Sequence, residues 1–171
     1  MIALIGCDLC LTTTEEANKF RDTVAEILKI DRDKVLLNLS HNHSAGALRG
    51  HSGNPSSEAE LAVVNEYQIG LVDKIAHCTR AALASMKDAR MATAWGAADL
   101  NVYRREWSNG QDILGEVIGH PVDDSVGVIR FDDLNGKAIV TLFRYSCHPV
   151  VNGAASPTLS ADFPGPARRL V

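Results

Sequence analysis

Two histidines separated by one residue are the side chains in this sequence best suited to chemistry. His41 and His43 lie in the stretch Ser40 to Gly46, directly after the apolar run Val35 to Leu39. Neutral imidazole is the commonest protein ligand for zinc, and side chains two apart on a strand point the same way. Such a pair can therefore present a metal ligand and a neighbouring catalytic group to one cavity. The alternative is a pair of hydrogen-bonded surface imidazoles.

Other polar residues follow the ends of other predicted strands. Asp8 follows the first strand, Asn101 and Arg104 follow the third, and His148 follows the apolar run that ends at Tyr145. Ligands of parallel α/β sheets bind beyond the carboxyl ends of the strands, so one shared sheet would gather these groups at one edge. There Asp8 would orient a ligand imidazole, and Arg104 would bind an anionic or carbonyl oxygen. The alternatives are a turn carboxylate and a solvated guanidinium.

The four cysteines show no zinc-ribbon spacing. Cys7 and Cys10 form a C-x-x-C at a strand exit rather than at a helix N-terminus, so small buried residues are favoured over a redox pair. Cys147 precedes His148, but cysteine and histidine partners in catalysis meet through space rather than as sequence neighbours. A thiol nucleophile is therefore disfavoured.

Composition places the chain among ordinary globular proteins. It has 171 residues, about one domain, of which 46% are apolar and 22% charged. A net charge of −4 gives no basic field for nucleic acid, and no apolar run approaches the roughly 20 residues of a membrane-spanning helix. The start, Met1 to Gly6, lacks the basic region of a signal peptide. Because the chain begins in a strand and stops in a helix, we expect a fragment of a longer protein.

The elements that position these residues indicate an α/β fold. A strand, a helix with a capping box and a second strand form a βαβ unit, which predicts a parallel pair with a right-handed crossover. Asn135-Gly136 between two apolar runs predicts a hairpin. We expect a single domain over 1–171, part of a larger one, with a mixed, mostly parallel sheet flanked by helices and a terminal β-hairpin. The predicted segments are strands at 2–7, 35–39, 91–95, 126–131 and 138–145, helices from Thr13, Ser57 and Asp162, and irregular structure at 99–123.

The histidine motifs resemble those of a known enzyme family. Ser40 to Ser44 resembles the His-Thr-His-Ser-Gly-Pro stretch of the neutral/alkaline non-lysosomal ceramidases. Tyr145 to Pro149 resembles the second histidine motif of that family's N-terminal catalytic domain. Asn101 to Arg104 resembles the Asn-x-x-Arg between them, and Leu159 to Val171 resembles the segment after the second motif in bacterial relatives. The likeness covers nearly the whole chain in order.

The resemblance implies zinc-dependent hydrolysis of an N-acyl amide, in which ceramide gives sphingosine and a fatty acid. The implied cofactor is Zn²⁺, and the implied partner is a lipid-like or other acyl-amide small molecule. The predicted site comprises the zinc ligands His41 and His148, the substrate or oxyanion contacts His43 and Arg104, the supporting carboxylates Asp8 and Asp162, and the substrate-loop residues Ser44, Gly46 and Asn101.

The chain departs from the family in two ways. Asn42 replaces a threonine and Ala45 to Ala47 replace a Gly-Pro-Gly-rich turn beside the substrate. A zinc hydrolase acting on another amide or ester, and a non-catalytic lipid- or sugar-binding module, therefore stand as alternatives. The family also completes its zinc site with a glutamate and a tyrosine beyond residue 171, so we expect residues 1–171 alone to bind zinc weakly and be inactive. Family members are often secreted.

Overall fold

The chain divides into two compact units. The computed structural model describes residues 1–46, 48, 57–153, 156 and 158–171. One unit comprises Met1–Met86 with Pro149–Val171, and the other comprises Lys87–His148. The histidine pair belongs to the first unit and His148 to the second, and the single domain over 1–171 stays a prediction.

The first unit contains the predicted βαβ motif. Strands β1 (Ala3–Cys7) and β2 (Val35–Leu39) pair in parallel and are connected by helix α1 (Thr14–Leu28) and a 3₁₀ turn at Arg32–Lys34. The Thr13 hydroxyl accepts the backbone N–H of Glu16 at 3.2 Å, which satisfies one of the unpaired donors at the helix start. This capping contact confirms the predicted start of α1.

The described part of this unit contains two further helices. Helix α2 (Glu58–Ala84) begins at Ser57, whose hydroxyl accepts the N–H of Glu60 at 3.2 Å, and helix α3 (Pro164–Leu170) lies near the end of the chain. The core is built where α1 packs against α2 and β2. Its buried apolar side chains are Leu9, Phe20, Val24, Ala25, Val35, Leu48 and Ile75.

The second unit is antiparallel throughout its described strands. Strand β3 (Ala89–Ala97) is followed by the hairpin of β4 (Tyr103–Ser108) and β5 (Gln111–Val117), and then by β6 (Ser125–Asp133) and β7 (Ala138–Tyr145). β6 lies between β3 and β7 in a three-stranded sheet. The predicted hairpin of β6 and β7 is confirmed.

The prediction of a mostly parallel sheet is wrong. In the described residues only β1 and β2 pair in parallel, while the strands of the other two sheets are antiparallel. After α2 the chain does not add a third strand beside β1 and β2, because β3 pairs along its whole length with β6. The strands before His41 and His148 therefore do not share one parallel sheet, and the reason for expecting these two histidines at one sheet edge does not hold.

The prediction of irregular structure over 99–123 is also wrong. Its central part is the β4–β5 hairpin, whose turn residues Asn109 and Gly110 have φ of 50° and 80°. Positive φ at both central positions belongs to the tight hairpin turn that Asn-Gly favours. The same dipeptide signal that predicted the later hairpin was present here.

The carboxylate of Asp123, just before β6, is the acceptor of a hydrogen-bond network in the second unit. Asp123 accepts the Ser125 hydroxyl, the Arg144 guanidinium and, at 2.9 Å, the Ser146 hydroxyl. These hydrogen bonds, first that of Ser125 and then that of Arg144, hold the pKa of Asp123 well below its usual range.

Across the part of the chain that the structure describes, no helix has both the length and the apolar character needed to cross a membrane.

Candidate metal centre

The histidine pair lies in the turn that follows β2. The Ser40 N–H donates to the Cys7 carbonyl at 3.0 Å, which extends the pairing with β1 by one residue. At His41 the backbone then enters the left-handed region, with φ of 58°, which non-glycine residues seldom adopt. His41 and His43 meet edge to face with ring centroids 4.8 Å apart. The turn, and not the alternation of a strand, brings the two rings together.

The hydrogen bond of His41 fixes its tautomer. Its Nδ1 lies 2.9 Å from the backbone carbonyl oxygen of Cys10, and because a carbonyl only accepts, Nδ1 carries the proton and donates. The lone pair is then on Nε2, which lies 3.3 Å from Nε2 of His43. Histidines that ligate metals commonly donate their other ring N–H to a carbonyl in this way. His41 is therefore oriented as a ligand histidine would be.

Cys10 is the third donor of this cluster. Its Sγ lies 3.7 Å from Nδ1 of His41, and one ligand atom from each of Cys10, His41 and His43 lies within 4.8 Å of the others. The residue is 5% exposed, and burial raises the pKa of its thiol. These three residues could hold a metal ion.

The sequence prediction for Cys10 was partly fulfilled. It is buried, as a small apolar residue would be, but its position beside the imidazoles was missed. The available signal was topological, since β1 and β2 are adjacent parallel strands and the residues that follow them leave the sheet at the same edge. Cys10 and His41 each lie shortly after one of these strands.

Asn42 anchors the turn between the two histidines. It is 1% exposed, and its Nδ2 donates to the Ser160 carbonyl at 2.7 Å while its Oδ1 accepts the Ser44 N–H at 2.9 Å. The Ser160 N–H in turn donates to the Ser44 carbonyl at 3.1 Å. The turn is thus fastened to the segment before α3.

Asp162 forms further hydrogen bonds within the segment that precedes α3. It is 7% exposed, and its carboxylate accepts the N–H of Asn152 at 2.9 Å and that of Phe163 at 2.7 Å. The Asn152 amide donates to the Ser44 hydroxyl at 3.1 Å. Asp162 therefore supports the histidine turn through Asn152, while a direct contact with a ligand stays a prediction.

Asp8 forms an ion pair in this structure. Its carboxylate accepts both terminal nitrogens of Arg168, at 2.9 Å and 2.6 Å. The hydrogen bond from Arg168 is the main cause that lowers the pKa of Asp8. His41 donates the hydrogen bond that fixes its tautomer to the Cys10 carbonyl and not to Asp8, so orientation of an imidazole by Asp8 stays a prediction.

An open cavity of about 290 Å³ lies beside the turn. A Cβ added to Gly46 would lie 2.7 Å from the Tyr67 ring, so any other residue here requires that ring to shift. Ser44 and Gly46 border the cavity, but their contact with a substrate stays a prediction, and Ala47 lies outside the described residues. The lining residues are Asp8, Asn42, Ser44, Ala45, Gly46, Leu159, Ser160 and Ala161.

The other predicted site residues belong to the second unit. Asn101 donates its side-chain amide to the Ser146 carbonyl at 2.7 Å, and its N–H donates to the Tyr145 hydroxyl at 3.0 Å. Arg104 lies on β4 and donates to a carbonyl of β5. His148 follows β7. Zinc ligation by His148 and substrate contacts of Asn101 and Arg104 stay predictions.

Comparison with known proteins does not identify the chain. No protein-family model matches it, and no curated protein matches it. The geometry of the histidine turn is therefore the main evidence for the function of this protein.

Proposed function

We propose that this protein is a ceramidase-like, metal-dependent hydrolase of the N-acyl amides of lipids, with zinc held at His41. The observation that supports this most directly is the hydrogen bond from His41 Nδ1 to the Cys10 carbonyl, which leaves Nε2 as the metal-binding nitrogen. The resemblance of the two histidine motifs to those of ceramidases is the reason for choosing the N-acyl amide bond as the target.

Zinc bound there would polarise the amide carbonyl and lower the pKa of a bound water. The imidazole of His43, whose Nε2 is 3.3 Å from that of His41, is close enough either to share the metal or to transfer a proton to the reacting group. The residues that line the cavity next to the turn include Ser44, Ser160 and Asp8. These groups suit the polar end of an amide substrate, which they can hold by hydrogen bonds.

The size of the cavity favours one alternative substrate class. About 290 Å³ is just below the roughly 300–1,000 Å³ of small-molecule pockets, and this depression is shallow and widely open to solvent. A compact acyl amide or ester fits such a volume, whereas the acyl chains of a ceramide would have to lie outside it. Hydrolysis of a small amide or ester is therefore the second candidate.

The test is a hydrolysis assay of the protein expressed from its full reading frame. A substrate panel of ceramide, a short-chain N-acyl amide and a matched ester is incubated with the zinc-loaded enzyme and with His41→Ala. His77→Ala, on the exposed surface of α2, is the matched control. We expect His41→Ala to lower kcat/KM by at least about 100-fold, since a metal ligand is lost, and the control to keep it.

Two results would contradict the proposal. One is full activity in His41→Ala, and the other is the absence of hydrolysis of every substrate by the zinc-loaded wild-type enzyme. If only the short amide or the ester is hydrolysed, the second candidate replaces the first.

A further inference from the structure

We infer that the thiolate of Cys10 is a metal ligand, so that Cys10, His41 and His43 together bind a thiophilic divalent ion such as zinc. The inference rests on the proposed function for the role of His41, and it goes further by giving Cys10 and His43 the role of ligands. It differs from the ceramidase resemblance, which implies a substrate contact for His43 and a ligand at His148.

All three donors lie in the first unit, where the backbone brings them together. Cys10 follows β1 and His41 follows β2, and these parallel strands are neighbours. The left-handed residue His41 then folds the chain back, which brings His43 against the ring of His41. The thiol and the first imidazole are also tied through the backbone, because His41 Nδ1 donates to the carbonyl of Cys10 itself.

The distances suit a tetrahedral ion with small adjustments. Zinc–nitrogen bonds of about 2.05 Å and a zinc–sulfur bond of about 2.3 Å require about 3.3 Å between two nitrogens and about 3.6 Å between sulfur and nitrogen. The Nε2 atoms of His41 and His43 are already 3.3 Å apart. The Sγ of Cys10 lies 3.7 Å from Nδ1 of His41, and one ligand atom from each of the three residues lies within 4.8 Å of the others, so the thiol has to move closer to the two Nε2 atoms when an ion binds.

The donor types select the class of metal. One sulfur and two imidazole nitrogens suit zinc and other soft or borderline ions, whereas magnesium and calcium take oxygen ligands. Three protein ligands leave the fourth position of a tetrahedral ion open, which is the pattern of catalytic rather than structural zinc sites. His43 is exposed while Cys10 is buried, so the open position would face solvent on the side of His43.

The experiment is a cobalt titration of the purified protein followed by optical spectroscopy. Thiolate bound to Co²⁺ gives a charge-transfer band in the near ultraviolet, which imidazole and carboxylate ligands do not give. We expect one equivalent of Co²⁺ to produce this band in the wild type, together with the visible bands of a tetrahedral ion. Zinc affinity is then measured by competition with a chromophoric chelator.

Matched variants assign the ligands. Cys10→Ser and Cys10→Ala should lose the charge-transfer band, whereas Cys78→Ser, on the exposed surface of α2, should keep it. Both Cys10→Ala and His43→Ala should weaken zinc binding by about 100-fold or more, beyond the 10- to 100-fold typical of residues that only support a ligand. Far-ultraviolet circular dichroism identifies the variants that fold.

The inference is overturned if folded Cys10→Ser or Cys10→Ala keeps the charge-transfer band, or if either Cys10→Ala or His43→Ala binds zinc as tightly as the wild type. Hydrolysis separates this failure from a failure of the proposed function. If the band is absent but His41→Ala abolishes hydrolysis, Cys10 is not a ligand and the hydrolase stands. If the band is present and the zinc-loaded wild type hydrolyses none of the substrates, the metal centre stands and the hydrolase does not.

Discussion

Asn42→Ala removes the side chain that fastens the histidine turn to the segment before α3. Asn42 is 1% exposed, and its amide makes two hydrogen bonds to backbone groups, one to the Ser160 carbonyl at 2.7 Å and one from the Ser44 N–H at 2.9 Å. Alanine cannot replace either bond. The substitution therefore disturbs the turn without touching a metal ligand.

The expected loss of stability follows from these two bonds. A hydrogen bond contributes about 0.5–1.5 kcal/mol net, and a buried partner left without one costs about 1–3 kcal/mol. Because the Ser160 carbonyl and the Ser44 N–H both lose the Asn42 partner, we expect the free energy of unfolding to fall by about 2–4 kcal/mol. Because the turn carries His41 and His43, zinc affinity should also fall, by about 10- to 100-fold, as for other residues that support ligands.

Urea denaturation followed by the helical circular dichroism signal measures the first effect. The described α-helices all lie in the first unit, while both tryptophans, Trp95 and Trp107, lie in the second, so the dichroism signal reports on the unit that contains Asn42. Asn65→Ala, on α2, is the matched control and should change stability by less than about 0.5 kcal/mol. If Asn42→Ala changes the free energy of unfolding no more than this control, the anchoring role is refuted.

Gly46→Ala should destabilise the protein by about 1–3 kcal/mol, because the new Cβ would lie 2.7 Å from the Tyr67 ring. Gly70→Ala on α2 is the control. A Cβ there meets nothing within 4 Å, so the higher helix propensity of alanine should stabilise the protein by about 0.5–1 kcal/mol. Equal effects of the two substitutions in urea denaturation would contradict the close approach at Gly46. Asp123 has a lower pKa in the folded than in the unfolded protein, so its hydrogen bonds stabilise the folded state at any pH above the unfolded pKa. This stabilisation is lost as the pH falls through the folded pKa. A carboxyl titration by ¹³C NMR should show Asp123 ionised well below pH 3.8, and a midpoint at or above that value would refute the assigned hydrogen bonds.

Local signals in the sequence predicted most elements of the fold. The capping residues Thr13 and Ser57 mark the starts of α1 and α2, and Asn135-Gly136 marks the turn between β6 and β7. Strand pairing was less accessible, because the partner of a strand depends on contacts far along the chain. β6 begins at Ser125, 36 residues after β3 begins at Ala89. Nothing local in the sequence of β3 indicates that it pairs with β6 rather than with β1 or β2.

The site was predicted in part. The spacing of His41 and His43 indicated that their rings could meet. The cause is the left-handed backbone at His41, which the alternation of side chains along a strand does not predict. Cys10 was classed as a small buried residue because its distance from the histidines, 31 positions along the chain, hides their contact. Only the pairing of β1 with β2 reveals that neighbourhood.

The most direct test of the metal centre is a long-range ¹H–¹⁵N NMR spectrum of the histidine rings during zinc titration. With one equivalent of zinc, the Nε2 resonances of His41 and His43 should move to the metal-bound range, while Nδ1 of His41 keeps the proton that it donates to the Cys10 carbonyl. The ring of His77 on α2 should not change. If zinc leaves Nε2 of His41 unaffected, His41 is not a metal ligand and the proposed centre does not exist.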